Sequence, residues 1–191
     1  MNDPSWLLAL KRILKSLESS PDSRFAQLAT IDSEGRPANR TLVFRRFMME
    51  QHQLVFTTDA RSKKARQLAS TPWAELCWWF PVSREQYRIQ GRAYLSDGSE
   101  STAHALVRSE IWSDLKDGAK RSFTWPIPGH RLADPSEFLA PLPESMPPRF
   151  SLLLLIPERV EHLDLKPDPH IRVIHTRYAS GAQWTSELVN P

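Results

Sequence analysis

The chain has 191 residues, so we expect a single domain over residues 1–191 with a core of ordinary size. Apolar residues make up 40% and charged residues 25%, as in globular proteins, and no stretch approaches the roughly 20 apolar residues that a membrane-spanning helix needs. The formal net charge of +3 comes without a long basic block, which argues against nucleic acid as a partner, and the single cysteine argues against disulfides and for a reducing, cytoplasmic location.

An amphipathic helix that ends near Leu17 is the first predicted element. Asp3 and Pro4 offer a capping carboxylate and a proline at the first helical position. Apolar residues then recur at helical spacing, with lysine and arginine on the opposite side. Because these cations interrupt the apolar residues, we expect no signal peptide.

Short β segments follow this helix. They comprise residues 24–31, 36–47, 54–58, 73–80 and 86–95. The first two are joined by a turn at residues 32–35, where glycine supplies the left-handed position. Residues 86–95 alternate between apolar and polar side chains, which is typical of an antiparallel sheet with one covered face.

Two more helices are predicted, each with an apolar side. One covers residues 62–70, and the other covers residues 101–115. The predicted inward residues are Ala65, Leu68 and Ala69 in the first, and Ala105, Leu106, Ile111 and Leu115 in the second.

The last third of the chain opens with a proline-rich segment at residues 124–149. It holds seven prolines in 26 residues, too many for regular structure. Strands are predicted after it at residues 150–156, 160–165, 171–175 and 183–189. Short strands with only three helices predict a mainly β (α+β) fold, an antiparallel β-barrel with a few flanking helices, rather than an α/β sheet.

Several common site motifs are missing from the sequence. None of the six glycines forms a Walker loop or a GxGxxG turn. The six histidines are scattered without a metal-ligand frame, so no metal site is expected. There is no GxSxG elbow, and Cys77 lies in an apolar run, which favours a packing role. No catalytic residue can be named from the sequence.

The most unusual segment is the predicted strand RTLVFRRF at residues 40–47. One face would carry Arg40, Leu42, Phe44 and Arg46, and the other Thr41, Val43, Arg45 and Phe47. Both faces therefore mix cations with core-sized apolar groups. A partly buried guanidinium is tolerated when an anion or a carboxylate meets it. The alternative interpretation is that these cations simply lie at solvated strand and helix ends.

A phosphate site is the function that these cations favour. Ser62 at a helix start would leave free N–H groups in the first turn, which attract phosphate. The other groups that could converge on the same oxygens are Lys63 and Lys64, Arg40 or Arg45, and the hydroxyls of Thr57 and Thr58.

In order and spacing, RTLVFR at 40–45, TT at 57–58, SKKA at 62–65 and Gln86 resemble the FMN-binding pattern of pyridoxamine 5'-phosphate oxidases. The whole chain is most similar to the oxidase-related branch of cyanobacteria and plants. The stretches that carry this resemblance are GRPANRT at 35–41, WWFP at 78–81, REQ at 84–86, FTWP at 123–126, PG at 128–129 and the closing NP.

The resemblance implies an FMN-binding split barrel and a homodimer with FMN between the subunits. Arg40, Ser62, Lys63 and Lys64 would then hold the FMN phosphate, with Arg45 close by. The residues implied along the rest of the cofactor are Thr41, Leu42 and Val43 at the isoalloxazine, Thr57 and Thr58, Gln86, Ser122, and Arg172 from the other subunit.

The substrate side departs from the family. Relatives bind the substrate phosphate with a lysine, a tyrosine, an arginine and a serine. The matching positions here are Arg45, His104, Arg108 and Trp112. The relatives' Arg-Leu-His stretch corresponds to residues 169–171, which read PHI. The resemblance therefore implies a kept cofactor site and an altered substrate site.

Three functions follow as hypotheses. The first is an FMN-dependent oxidoreductase that acts on a small molecule, with pyridoxamine or pyridoxine 5'-phosphate as the specific candidate. The second is a flavin-binding carrier, sensor or interaction protein without turnover. The third keeps the fold but binds another anionic cofactor, such as haem or a deazaflavin.

Overall fold

An antiparallel barrel forms the centre of the molecule in the computed structural model, which describes residues 3–48, 52–178 and 183–191. Its strands are β1 (Phe25–Ile31), β2 (Pro37–Met48), β3 (Gln53–Asp59), β4 (Trp73–Phe80), β5 (Glu85–Ser96) and β6 (Phe150–Asp164). They follow the order β3-β2-β1-β4-β5-β6, and pairing of β3 with β6 closes the barrel. Two further strands, β7 (Ile171–Arg177) and β8 (Trp184–Val189), extend the sheet beyond β6. The predicted mainly β split barrel is confirmed.

The long strand β6 is where the barrel splits. Its first half, from Phe150 to Leu155, pairs with β3, and its second half, from Arg159 to Asp164, pairs with β7. The sequence analysis divided this strand in two around Pro157, which was wrong. The strand continues because its register with β5 shifts between Gln90 and Gly91, so that Pro157 lies opposite a glycine.

Two apolar clusters hold these strands together. The first fills the barrel. It includes Trp6, Leu7 and Leu10, so α1 (Ser5–Ser16) packs against the residues inside the barrel. The second lies outside the barrel wall, where Ile111 and Phe150 meet beneath α3 (Thr102–Asp114). The sheet is therefore covered on both sides near β3 and β6.

The remaining helices are α2 (Lys63–Ser70) and α4 (Asp117–Ser122), with single 3-10 turns at Pro21–Arg24 and Pro135–Phe138. The sequence analysis missed α4, a short helix of six residues without an apolar stripe. Among the described residues, no helix has the length and apolar character needed to span a membrane.

Three details of the helices differ from the predictions. Asp3 does not cap α1, because its carboxylate accepts a hydrogen bond from Lys11 Nζ at 2.6 Å instead. Ala69 is exposed on α2, where Leu68 alone is buried. On α3, Leu106 is 60% exposed and Ala105 is exposed as well, since the helix turns His104 and Ile111 towards the sheet.

A bulge in β2 changes the predicted faces of its last residues. The register between β2 and β3 shifts between Phe44 and Arg46. Phe47 therefore shares the barrel interior with Phe44, and their ring centroids are 4.6 Å apart. Arg46 points outward and pairs with Glu110 on α3. The simple alternation predicted the opposite arrangement for these two residues.

The split in β6 makes Gly91 a sensitive position. A Cβ at Gly91 would lie 1.9 Å from the backbone oxygen of Ile156, whereas nothing lies within 4 Å of a Cβ at Gly118 on α4. We expect Gly91→Ala to lower the free energy of unfolding by about 1–3 kcal/mol or more, because backbone must move. Gly118→Ala is the control and should be neutral or stabilising by up to about 1 kcal/mol. Urea denaturation of both variants measures the difference, and equal effects would contradict the overlap at Gly91.

Candidate functional site

Arg40 lies at one end of the barrel and joins three elements. Its Nη1 donates to the carbonyl oxygen of Leu28 at 3.0 Å and to Thr30 Oγ1 at 2.7 Å, and its Nη2 donates to Gln67 Oε1 at 3.0 Å. These contacts connect β2, β1 and α2. No carboxylate pairs with Arg40 in the described part of the chain, and burial lowers its pKa. The guanidinium is thus held by neutral groups, and no carboxylate of the described chain neutralises its charge.

Lys64 lies beside this arginine. Its Nζ donates to Thr58 Oγ1 at 3.0 Å and to Ser62 Oγ at 3.2 Å. Burial lowers the pKa of Lys64, the charge of Arg40 lowers it further, and Asp59 acts in the opposite direction. Asp59 is itself held by Arg61, whose Nη2 donates to Oδ2 at 2.6 Å. Arg40 and Lys64 therefore form a local excess of positive charge.

Ser62 brings a helix start to the same place. It is the residue before α2, and its side chain makes no capping bond to that helix. The first N–H groups of a helix have no partner within it, and together with the helix dipole they favour an anion. Two cations, two hydroxyls and this helix start fit a phosphate monoester.

Lys63 takes a different direction from Lys64. It is exposed, and its Cε would lie 3.4 Å from a Cβ at Gly129 in the proline-rich segment. It also borders a surface depression with Asp32 and Gln67. Its charge is close to the start of α2, but its side chain runs towards the proline-rich segment.

Arg45 belongs to a second basic group, outside the barrel. Its Nε donates to Thr57 Oγ1 at 3.3 Å. Successive residues of β3 point to opposite sides, so Thr57 contacts Arg45 while Thr58 contacts Lys64. The structure therefore separates the two arginines that the sequence analysis considered for one phosphate.

The side chains of the three predicted isoalloxazine residues do not share one face of β2. Thr41 is exposed and Val43 is half-buried, while the side chain of Leu42 is buried in the barrel. Gln86 on β5 and Arg172 on β7 lie in a row with Leu163 between them. Each is three strands away from β2 around the closed barrel, because β3 pairs with both β2 and β6. At the usual spacing between strands this separation is roughly 14 Å along the sheet, and neither residue is among the hydrogen-bond partners of Arg40 in the described chain.

Arg172 is held by a buried carboxylate. Its Nη2 donates to Glu161, which also pairs with Arg88 and Arg159. Burial opposes the charge of Glu161, but hydrogen bonds from Arg172 and Arg159 outweigh it and lower the pKa. The sequence analysis missed Glu161, because its partners come from β5, β6 and β7.

The predicted substrate residues on α3 contact β5, β6 and Pro147. His104 is buried with Nδ1 3.2 Å from Ser96 Oγ. Arg108 donates from Nε to the carbonyl oxygen of Phe150 at 2.8 Å and from Nη2 to that of Pro147 at 3.4 Å. Trp112 packs against Phe150 with ring centroids 5.0 Å apart. These side chains dock α3 on β5 and β6, and none of these contacts is to Arg45.

The remaining predicted residue, Ser122, ends α4. Its Oγ donates to the carbonyl oxygen of Ala119 at 2.7 Å, within the same helix. Two residues that hold Arg40 were also missed by the sequence analysis. Gln67 follows Lys64 by three positions, so helical spacing could have indicated it, but Thr30 and its contact with Arg40 depend on the strand register.

Comparisons with known proteins match this chain by sequence. A model of the pyridoxamine 5'-phosphate oxidase FMN-binding domain matches residues 3–97. Pyridoxine/pyridoxamine 5'-phosphate oxidase 2 of Arabidopsis thaliana is 37% identical over 191 residues, covering 97% of this chain and 96% of the plant protein. The matched residues of the family model include Arg40, Thr58, Ser62 and Lys64, and the plant protein matches 97% of this chain.

Solved structures with the same fold are also known. A pyridoxamine 5'-phosphate oxidase-related, FMN binding protein of Nostoc punctiforme superimposes with a TM-score of 0.91 at 40% identity, covering 100% of both chains. PhzG of Burkholderia lata, in complex with tetrahydrophenazine-1-carboxylic acid, has a TM-score of 0.81 at 23% identity, covering 100% of this chain and 95% of PhzG. The second likeness concerns the fold alone.

Proposed function

Because the chain belongs to the pyridoxamine 5'-phosphate oxidase family of FMN-binding proteins, we propose that it is an FMN-dependent oxidoreductase whose cofactor phosphate is held by Arg40, Ser62, Lys63 and Lys64. The observation that carries this proposal is the pair of Arg40 and Lys64, two partly buried cations without a paired carboxylate in the described chain. Such a pair is costly alone and favourable around a phosphate.

Each residue of the pair has its own task in this proposal. Gln67 and Thr30 fix the direction of Arg40, and Thr58 and Ser62 fix the ammonium of Lys64. Bound FMN supplies a carrier for hydride transfer. The protein binds the phosphate and orients the cofactor, and Thr41, Val43 and the backbone at Leu42 offer the adjoining surface on β2.

We also propose that the active form is a homodimer with FMN between the subunits. Gln86 and Arg172 each lie three strands from β2 and are not among the hydrogen-bond partners of Arg40 in the described chain, and in this proposal a second copy supplies them to the cofactor. The outer face carries exposed aromatic residues, with Phe25 at 42% and Trp79 at 42% exposure, and such apolar surface favours association.

The alternative is a flavin-binding protein without turnover. It is favoured by one specific observation, the structural use of His104 and Arg108, whose Nδ1 on the one and Nε and Nη2 on the other bond to groups of this chain. In the first proposal, pyridoxine or pyridoxamine 5'-phosphate is the first candidate substrate, consistent with the name of the Arabidopsis relative.

Replacing Lys64 with alanine should weaken FMN binding by about 10- to 100-fold, since charge-assisted hydrogen bonds of roughly 1.5–3 kcal/mol are lost. Lys63→Ala should have a smaller effect, because Lys63 is exposed. Lys15→Ala, an exposed lysine on α1, is the control and should bind like the wild type. Quenching of flavin fluorescence during titration measures the affinity. Unchanged affinity in Lys64→Ala with cooperative unfolding preserved would contradict the proposed phosphate site.

The FMN-loaded protein should sediment as a dimer at micromolar concentration. Trp79→Glu, placed on the exposed aromatic surface, should shift it towards the monomer, since a charge is costly inside an apolar contact. Leu132→Glu is a matched control, because Leu132 is 85% exposed in the proline-rich segment. Sedimentation equilibrium gives the masses. A wild-type protein that is monomeric with FMN bound would contradict the proposal that FMN lies between two subunits.

Anaerobic incubation with pyridoxine or pyridoxamine 5'-phosphate should bleach the visible absorbance of the bound flavin. Dithionite serves as the control that the flavin can be reduced. Loss of absorbance with either phosphate supports the oxidoreductase. Flavin that dithionite reduces but neither phosphate reduces, in a screen widened to other small amines and alcohols, favours the non-catalytic alternative.

A further inference from the structure

The proline-rich segment is fastened at both of its ends to the turn that leads into α2. At its start, the carbonyl oxygen of Trp125 accepts a hydrogen bond from Arg61 Nη2 at 2.9 Å. At its end, the carbonyl oxygen of Arg149 accepts one from the backbone N–H of Ala60 at 2.9 Å. The two anchoring residues of the turn are adjacent in sequence, and the serine of the phosphate site follows them directly. Residues 126–148 therefore form a closed loop, which we call the strap, whose ends meet beside that site.

The anchor at Arg61 is held in one orientation by Asp59. Arg61 Nε donates to Asp59 Oδ1 at 3.0 Å and Arg61 Nη2 donates to Oδ2 at 2.6 Å, so the ion pair is bidentate. The backbone N–H of Arg61 also donates to Oδ1 at 2.8 Å, which fixes the turn itself. Arg61 Nη2 carries two N–H groups, enough for Asp59 and Trp125 together. The strap is thus tied to a guanidinium whose direction is already set.

The strap passes over the first residue of α2. A Cβ at Gly129 would lie 3.4 Å from Lys63 Cε and 3.9 Å from Lys63 Cδ, so the strap backbone runs along this side chain. Gly129 has a φ of 80°, a left-handed conformation that glycine adopts without strain. The N–H of Lys63 is one of the groups at the helix start that have no partner within the helix. The strap therefore covers the side of the helix start on which the Lys63 side chain lies.

Between its two ends the strap is held loosely. Within the described residues, every hydrogen bond of residues 126–146 stays inside the strap. A cavity of about 420 Å³ lies between Arg61 and the strap residues that line its other side. Leu132 and Leu139 are 85% and 80% exposed, and Met146, close to one end, packs on the second apolar cluster. Segments with few buried contacts open at a low free energy, so the strap can lift while the barrel stays folded.

We propose that the strap controls the entry and exit of FMN, and that Arg61 is the positioning residue that holds it closed. The proposal rests on the proposed function, because it takes the FMN phosphate to lie at Arg40 and Lys64. In the closed state the strap lies against Lys63 and blocks the phosphate end of the cofactor. In the open state the bond from Arg61 to Trp125 is broken, and the phosphate can pass. Opening of the strap therefore limits both binding and release.

Stopped-flow measurement of FMN association and of dissociation after dilution, both followed by flavin fluorescence, tests this role. Arg61→Ala should raise both rate constants about tenfold and change the Kd by less than about threefold, because a charge-assisted hydrogen bond no longer holds the strap closed in either state. Arg61→Lys keeps the charge and should raise the rates less. Loss of a cation near an anion site would by itself slow association, so the direction of the change separates the two effects.

Arg131→Ala is the matched control, because it removes an exposed arginine from the strap itself. Its two rate constants should stay within about threefold of those of the wild type. In Arg61→Ala the carboxylate of Asp59 also loses its partner, so the double variant Asp59→Asn/Arg61→Ala is measured as well. It should keep the fast rates, since the bond to Trp125 is absent from both variants.

Limited trypsin digestion of the FMN-loaded proteins separates opening of the strap from a general loss of structure. The peptide bond after Arg131 lies in the strap, and a protease needs the chain around that bond to leave its folded position. Cleavage there should be about tenfold faster in Arg61→Ala, while cleavage after Arg88, within β5, should keep the wild-type rate. Equal acceleration at both positions would indicate general destabilisation and overturn the proposal.

The kinetics distinguish failure of this proposal from failure of the proposed function. Rate constants in Arg61→Ala that equal those of the wild type overturn the role of the strap and leave the FMN site intact, since FMN still binds. Slower association with weaker affinity, in the double variant as well, also overturns it, because that is the pattern of a residue that only supplies charge. A wild-type protein that binds no FMN contradicts the proposed function, and control of FMN exchange is then overturned with it.

Discussion

The hydrogen bonds of Arg40 set the position of everything that surrounds the candidate phosphate site. The guanidinium connects a carbonyl oxygen on β1 to the Gln67 amide on α2, and it does so without a carboxylate. A carboxylate at this place would hold the helix equally well, but it would neutralise the charge. Neutral acceptors fix the geometry and leave the positive charge for a ligand. The short helix α2 then delivers Ser62 and Lys64 to the same end of the barrel.

The alternation of β2 explains why its arginines lie on two sides of the sheet. Arg40 shares the inward side with Leu42 and Phe44, whereas the bulge that follows Phe44 turns Arg45 and Arg46 outward. The partner strand β3 repeats this division, since Thr58 reaches Lys64 and Thr57 reaches Arg45. Cations on both faces of a strand are costly unless each face has its own use. The inward face carries the arginine proposed for the FMN phosphate, and the outer face carries Thr41 and Val43, which are proposed to adjoin the cofactor.

The sequence predicted what depends on local pattern. Strand β4 was placed at its observed bounds, and β5 was placed to within one residue at each end, since strict alternation is a local signal. The two halves of β6 were separated because proline usually ends a strand, and only the register against Gly91 makes Pro157 acceptable. On the inward side of α3, Ile111 and Leu115 were predicted correctly, whereas Ala105 and Leu106 were not, because His104 is turned towards the sheet instead.

The residues of the candidate site could also be predicted where they depend on local sequence pattern. Arg40, Ser62 and Lys64 stand in short segments with a recognisable order, and the structure brings them together. The partners that orient them, such as Thr30, and the carboxylate of Glu161 at Arg172 come from other strands. Side-chain hydrogen bonds across a sheet depend on register, which a single sequence specifies only weakly where both faces carry polar residues.

The separation of cofactor and substrate elements has a consequence for how substrate choice can change. The residues of β2 and α2 that form the cationic group rest on the interior of the barrel, while α3 rests on the second apolar cluster outside it. His104 and Arg108 contact groups of β5 and β6 that lie on that outer side. A change on α3 therefore alters the substrate side without moving Arg40 or Lys64. A side chain that donates to two backbone carbonyl groups cannot also receive a substrate phosphate with the same donors. The bonds to Phe150 and Pro147 therefore commit two of the three guanidinium nitrogens of Arg108 to docking the helix.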